Sequence, residues 1–222
     1  MEGHAVPNGH AGRFSLIIGA MKLVILDRDG TINHDSDEFI SSPEEWTPLP
    51  GALEAIARLN HAGFHVVIAS NQSGLGRGQF DVVSLNAIHT KMHKMLAAVG
   101  GRVDAVFYCP HSPEESCQCH KPLPGLFAQI GERYGIELEG VSACGDSQDH
   151  LTAGASVGCE PHLVLTGKAA HLRGQPLPAS FPLDTTVHAD LGAFADFVIA
   201  RPALALGMMS APPAPDTART AD

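Results

Sequence analysis

Met21-Lys22-Leu23-Val24-Ile25-Leu26-Asp27-Arg28-Asp29-Gly30-Thr31-Ile32-Asn33 is the stretch that decides the fold. Residues 21–26 form a continuous apolar run, Lys22 apart, with a β-branched centre, and the run stops at a polar turn. That pattern describes a strand buried on both faces that releases its polar residues at its carboxyl end. Two carboxylates one residue apart at such an exit can share a divalent cation while facing one crevice. Asp27 can then attack phosphorus, and Asp29 can protonate a leaving oxygen and later activate water. Gly30 permits a tight turn that aims backbone N–H groups at an anion. Two Asp alone would suggest a solvated pair capping a strand. The apolar run before them and Gly-Thr after them favour the chemical reading.

Outward from this strand the pattern alternates. Helices are expected over residues 52–62, 82–99, 124–134 and 151–157, and strands over 65–69, 104–108, 141–144 and 162–165. A Gly-rich loop spans 70–80, and the fifth strand runs into Thr166-Gly167-Lys168. Alternation of this kind predicts an α/β fold: three layers, a Rossmann-like doubly wound parallel sheet with helices on both faces. Ligands in such sheets sit beyond the carboxyl ends of the strands, where the polar residues of this chain fall.

A second constellation, Cys109-Pro110-His111 with Cys117-Gln118-Cys119, places three thiols and an imidazole on one short loop. Those four residues can close a tetrahedral zinc site, and closure without an open position implies a structural metal. Buried free thiols are the alternative. The polar company of Ser112, Glu114, Glu115, Ser116 and Gln118 argues against it.

Composition bounds the rest. The chain has 222 residues, 44% of them hydrophobic, which suits one domain with one sizeable core. A net charge of -10 argues against nucleic acid or an anionic membrane as partner. No apolar run approaches the ~20 residues of a spanning helix. Residues 1–20 carry an apolar patch but no basic leader, and are expected to be a flexible extension. Residues 201–222, rich in Ala and Pro, are expected to be a disordered tail. Residues 21–200 are left as the catalytic domain, with a zinc loop at 109–119; a soluble, cytoplasmic monomer is expected.

Asp27-x-Asp29-Gly30-Thr31 resembles the first motif of the haloacid dehalogenase superfamily of phosphatases. The resemblance implies roles for further residues in order. Ser70 matches the second motif, which holds the phosphoryl oxygens; Lys121 matches the third, a cation for the nucleophile and phosphoryl group. Asp146, after Gly145, matches the fourth, which completes a Mg²⁺ site with Asp27 and the backbone of Asp29. Asn71-Gln72-Ser73-Gly74, Cys109-Pro110-His111 and Cys119-His120-Lys121-Pro122 are similar to one branch, the heptose-1,7-bisphosphate 7-phosphatases and the related histidinol-phosphate phosphatases. Members of that branch lack a separate cap domain and use Mg²⁺ with structural Zn²⁺. The heptose enzymes serve lipopolysaccharide biosynthesis within carbohydrate metabolism. By the same analogy Asp35, Ser36, Asp37 and Glu38, with Asn71, Gln72, Ser73, His120 and Ser147, face the sugar phosphate.

Two departures stand out. His120 occupies the place of an Arg, and His150 that of a second acid, one residue after Asp149. Asp149 either turns into that role or leaves the cation's surroundings weakened. The heptose bisphosphate is favoured as substrate because no second catalytic domain is fused. Histidinol phosphate, and a catalytically weakened zinc-stabilised paralogue that binds sugar phosphates, are the alternatives.

Overall fold

The computed structural model describes residues 21–36 and 38–201; the expected extension at 1–20, the tail from 202 onward and Asp37 lie outside the described residues. The strands are β1 (Leu23–Leu26), β2 (His65–Asn71), β3 (Ala105–Cys109), β4 (Ser142–Gly145), β5 (Glu160–Val164) and β6 (Thr186–His188). The helices are α1 (Ala52–His61), α2 (Ser73–Gly76), α3 (Val82–Ala98), α4 (Gly125–Tyr134), α5 (Gln148–Ala155) and α6 (Leu191–Ala200).

All ladders are parallel, in the order β3-β2-β1-β4-β5-β6. β1 therefore sits in the middle, buried at every residue, and its alternation serves both faces. Val24 and Leu26 pack with Ile56 of α1, Ile88 of α3 and Phe194 of α6. Leu23 and Ile25 pack with Phe127 of α4 and Ala153 of α5. The strand order reverses beside β1, so the crevice at its carboxyl end is the place where a doubly wound sheet opens for a ligand. Among the described residues, the excursions at 27–51 and 110–124 contain no helix or strand of lid size.

The structure departs from the expected elements at β2, α5, β6 and α6, and the short helix α2 sits within the expected Gly-rich loop. β2 continues to Asn71, which puts Ser70 and Asn71 in the strand rather than in the loop after it. α5 begins at Gln148, capped by Ser147, whose hydroxyl accepts from the backbone N–H of His150 at 3.4 Å; its polar first turn hid it from the apolar pattern. β6 and α6 were not expected. β6 has three residues, too few to show a period, and docks partly through a buried contact of His162 Nδ1 with His188 Nε2 at 3.0 Å. α6 had a legible start, since Asp190 accepts from Ala193 N–H at 2.8 Å ahead of an apolar run. Arg201, expected in the tail, forms a two-nitrogen ion pair with Glu160.

Candidate active site

Asp27 leaves β1 with its backbone still in the ladder: its N–H donates to Cys144 O at 2.9 Å. Its carboxylate is thereby fixed at the sheet's carboxyl end. Oδ1 accepts from Arg28 N–H at 2.9 Å, and Oδ2 lies 2.7 Å from Lys121 Nζ. Lys121, only 3% exposed, also donates to Ala69 O at 2.8 Å. Burial alone would push the Asp27 carboxyl up, but the Lys121 ammonium and its hydrogen bond bring it below the ordinary carboxylate range. Asp27 is thus an anion held next to a cation.

Asp29 points into a different set of partners. Arg28, fully buried, donates from Nε to Oδ1 at 3.0 Å and from Nη2 to Oδ2 at 2.8 Å. Asn33 donates to Oδ1 at 2.9 Å and Gln72 Nε2 to Oδ2 at 3.0 Å. Gln72 Nε2 also reaches Ser70 Oγ at 2.7 Å, so Ser70 and Asp29 are oriented by one amide. Behind Arg28 stands His89 of α3, its Nε2 3.5 Å from Nη1, with its basicity pushed down to about 4 by burial and by that guanidinium.

Asp146 follows β4 and is buried against the Gly30 turn. Gly30 has φ +74°, and a Cβ there would fall 2.0 Å from Asp146 Oδ2; a Cβ on Gly167 would fall 2.1 Å from the same atom. Only glycine leaves room for this carboxylate. Lys168 N–H donates to Asp146 Oδ2 at 2.7 Å, and Thr166 Oγ1 donates to Gly30 O at 2.6 Å, tying the loop after β5 to the turn after β1. Burial first, and then the charge on Asp27, push the Asp146 carboxyl up to about 7. Asp146, raised by burial and by the neighbouring Asp27 charge, forms with Asp27 a hard-oxygen donor set that suits a small divalent cation.

Asp27, Asp29, Ser70, Lys121 and Asp146 line one cavity of about 420 Å³. Asp35, Ser36, Glu38, Ser73, His120 and Ser147 line it too, with Asp149 and with Lys168, to which no role had been given. Burial raises the Asp35 carboxyl, against the pull of Lys168.

Three expectations change in the structure. Asn71 borders the cavity, but its amide clamps the backbone of Lys121: Nδ2 donates to Lys121 O at 3.1 Å and Oδ1 accepts from Lys121 N at 3.0 Å. Gln72 likewise spends its amide on Arg28, Asp29 and Ser70 instead of a ligand. Asp149 borders the cavity but does not occupy the acid's buried place. It is exposed on the first turn of α5, and His150 fills the inward position with no exposed surface. Burial and Lys121 hold His150's basicity down to about 3, so it is neutral there.

The thiol loop closes on itself next door. One ligand atom each from Cys109, His111, Cys117 and Cys119 falls within 4.8 Å of the others. Cys109 Sγ lies 3.8 Å from Cys117 Sγ and 3.2 Å from Cys119 Sγ, and His111 Nδ1 lies 3.3 Å from Cys119 Sγ. Such edges suit tetrahedral bonds of about 2.0–2.3 Å. His120 Nδ1 is 3.7 Å from Cys109 Sγ while its residue also lines the acid cavity. It bridges the two regions.

A capless doubly wound sheet that ends β1 in Asp-x-Asp-Gly-Thr, and faces it with a buried lysine and a third acid, defines a phosphatase of the haloacid dehalogenase class. Residues 22–156 match the family model described as polynucleotide kinase 3 phosphatase. The chain is 54% identical over 176 residues to the D-glycero-beta-D-manno-heptose-1,7-bisphosphate 7-phosphatase of Bordetella bronchiseptica, covering 79% of this chain and 97% of the relative. The corresponding enzyme of Pseudomonas aeruginosa is 46% identical over 177 residues, covering 80% and 97%. A crystal structure of the D,D-heptose 1,7-bisphosphate phosphatase from B. bronchiseptica, complexed with magnesium and phosphate, superposes with a TM-score of 0.77 at 53% identity, covering 81% of this chain and 98% of that one. The chain belongs to the heptose-bisphosphate phosphatase branch of that superfamily.

Proposed function

We propose that this chain removes the 7-phosphate of D-glycero-beta-D-manno-heptose 1,7-bisphosphate, with Mg²⁺ as cofactor. The observation that carries the reading is the 2.7 Å pair of Asp27 Oδ2 with Lys121 Nζ, in a cavity shared with Asp146. The 54% identity over nearly all of the B. bronchiseptica relative supplies the substrate.

In this mechanism a carboxylate oxygen of Asp27 attacks the phosphorus, the P–O bond to the sugar breaks, and the leaving alkoxide takes a proton from Asp29. Water then attacks the phosphorus of the aspartyl-phosphate, giving its proton to Asp29 and releasing inorganic phosphate and free Asp27. The positive charge of Lys121 stabilises the phosphoryl group, and the hydroxyl of Ser70 can hold one of its oxygens. Asp29 can act only after its carboxyl turns out of the Arg28 fork, which otherwise occupies both of its oxygens. A Mg²⁺ bound by Asp27, Asp146 and the backbone carbonyl of Asp29 would neutralise charge at the phosphoryl group.

Zn²⁺ on Cys109, His111, Cys117 and Cys119 would be structural, pinning the loop that delivers Lys121. Residues 21–200 would act as one monomeric catalytic unit without a lid, working in the cytoplasm on a small sugar phosphate. Asp35, Ser36, Glu38, Ser73, His120 and Ser147 would face that sugar.

Phosphate release from a panel of sugar phosphates with Mg²⁺ tests the substrate: the heptose bisphosphate is expected to exceed histidinol phosphate and simple monophosphates in kcat/KM. Asp27→Asn is expected to lower turnover to background. Retained turnover in the purified variant would remove the covalent mechanism.

A further inference from the structure

Lys121 is almost fully buried, and its ammonium has three N–H bonds to place. One goes to Asp27 Oδ2 at 2.7 Å and one to Ala69 O at 2.8 Å. The third meets His150 Nδ1 at 3.1 Å. A ring nitrogen that faces an ammonium at this distance must offer its lone pair, so the ring proton sits on Nε2. That atom is buried and has no hydrogen-bond partner. One polar atom of the histidine ring is thus left unpaired while the other serves Lys121.

The ring is confined on its other sides as well. Phe127 meets it edge-on, with centroids 5.2 Å apart and planes at 65°. Gly145 lies so close that a Cβ there would come within 2.9 Å of ring Cγ and Cδ2. The ring has no room to swing away from Lys121.

We infer that His150 is a positioning residue: a neutral third acceptor that fixes the Lys121 ammonium against Asp27 without neutralising it. A carboxylate in its place would also accept the third N–H, but it would compete with Asp27 and the phosphoryl group for the same positive charge. An apolar residue would leave a buried donor unpaired. The inference builds on the phosphatase reading of Lys121, and its test separates the two.

Three variants distinguish positioning from packing. His150→Leu is expected to lower kcat roughly tenfold to hundredfold, the range of one unsatisfied buried donor. His150→Asn, which keeps a neutral acceptor, is expected to recover much of that loss. His150→Asp is expected to keep kcat nearer to the Asn variant but to raise KM several-fold. A residue that merely fills the core gives the opposite order, with Leu the best tolerated. A Leu variant with kcat equal to or above that of the Asn variant would overturn the proposal, as would an Asp variant with turnover well above the parent. Nitrogen-15 NMR of the ring in the unsubstituted full chain gives a readout independent of variant folding and of any substrate. An Nε2–H tautomer is expected, and an Nδ1–H tautomer would overturn the inference even if the chain turned over no phosphate ester at all.

Discussion

The acid cavity and the thiol loop touch at residues 119–121, yet they are assembled by opposite means. The cavity collects Asp27 after β1, Ser70 on β2, Lys121 on a loop and Asp146 after β4, residues distant in sequence that meet because parallel strands end side by side. The thiol loop draws all four ligand atoms from residues 109–119. Buried strands hold the first set rigidly. Within the second, Glu114 and Glu115 are exposed and Ser112 is among the few buried residues, so packing contributes little order. A site built by the sheet should survive loss of a metal, whereas a site built by its own ligands should not.

That contrast can be broken from either side. The largest effect is expected for Gly30→Ala, whose Cβ would strike Asp146 Oδ2 and whose φ of +74° disfavours any side chain. A displaced carboxylate should cost turnover on the order of a hundredfold or more. Elemental analysis should find the zinc proposed for the thiol loop at the same content as in the parent. Loss of zinc in this variant would show that the two regions are one unit.

A smaller effect is expected from the other side. Cys119→Ser, or removal of zinc by a chelator, should abolish hydrogen-exchange protection over residues 110–120 and lower turnover about tenfold through a loosened Lys121. Protection of β1 and β4 should persist. If those strands lose protection together with the loop, the sheet does not stand alone.

The smallest effect sharpens the comparison at its joint. Asn71→Ala removes both hydrogen bonds between β2 and the backbone of Lys121. Their loss is expected to cost about 1–3 kcal/mol in denaturant titration and a several-fold drop in kcat, with KM little changed. An Asn71→Ala protein whose KM rises while kcat holds would return Asn71 to direct substrate contact.

Particular residues show how far the sequence could be read. Asp27 was legible because it ends a buried apolar run and carries a charge that such a strand end does not otherwise tolerate, whereas Lys121 and Asp146 were legible through the family motifs they match. The four ligands of the thiol loop were legible because their geometry is local. Asn71 and Gln72 were read as facing the ligand, but their amides turn toward protein partners. The turn is set by β2 running two residues further than its apolar run suggests. Arg28 carried no signal of its own, since a charged residue in a turn is ordinarily solvated, and only burial shows it gripping Asp29. His150 was legible as a departure from the family pattern but not as a partner of Lys121.

The sequence by itself determined the chemical inventory of this protein: paired acids, a lysine, a third acid, four soft ligands, and an alternation of apolar runs that builds a parallel sheet. Those properties follow from residue type and spacing, which the chain carries whether folded or not. Only the tertiary structure decided which polar atoms meet, because the direction of a side chain depends on strand register and on the neighbours packed around it. The fit of Asp146 between two glycines and the lone pair of His150 turned toward Lys121 exist only once the sheet has closed around them.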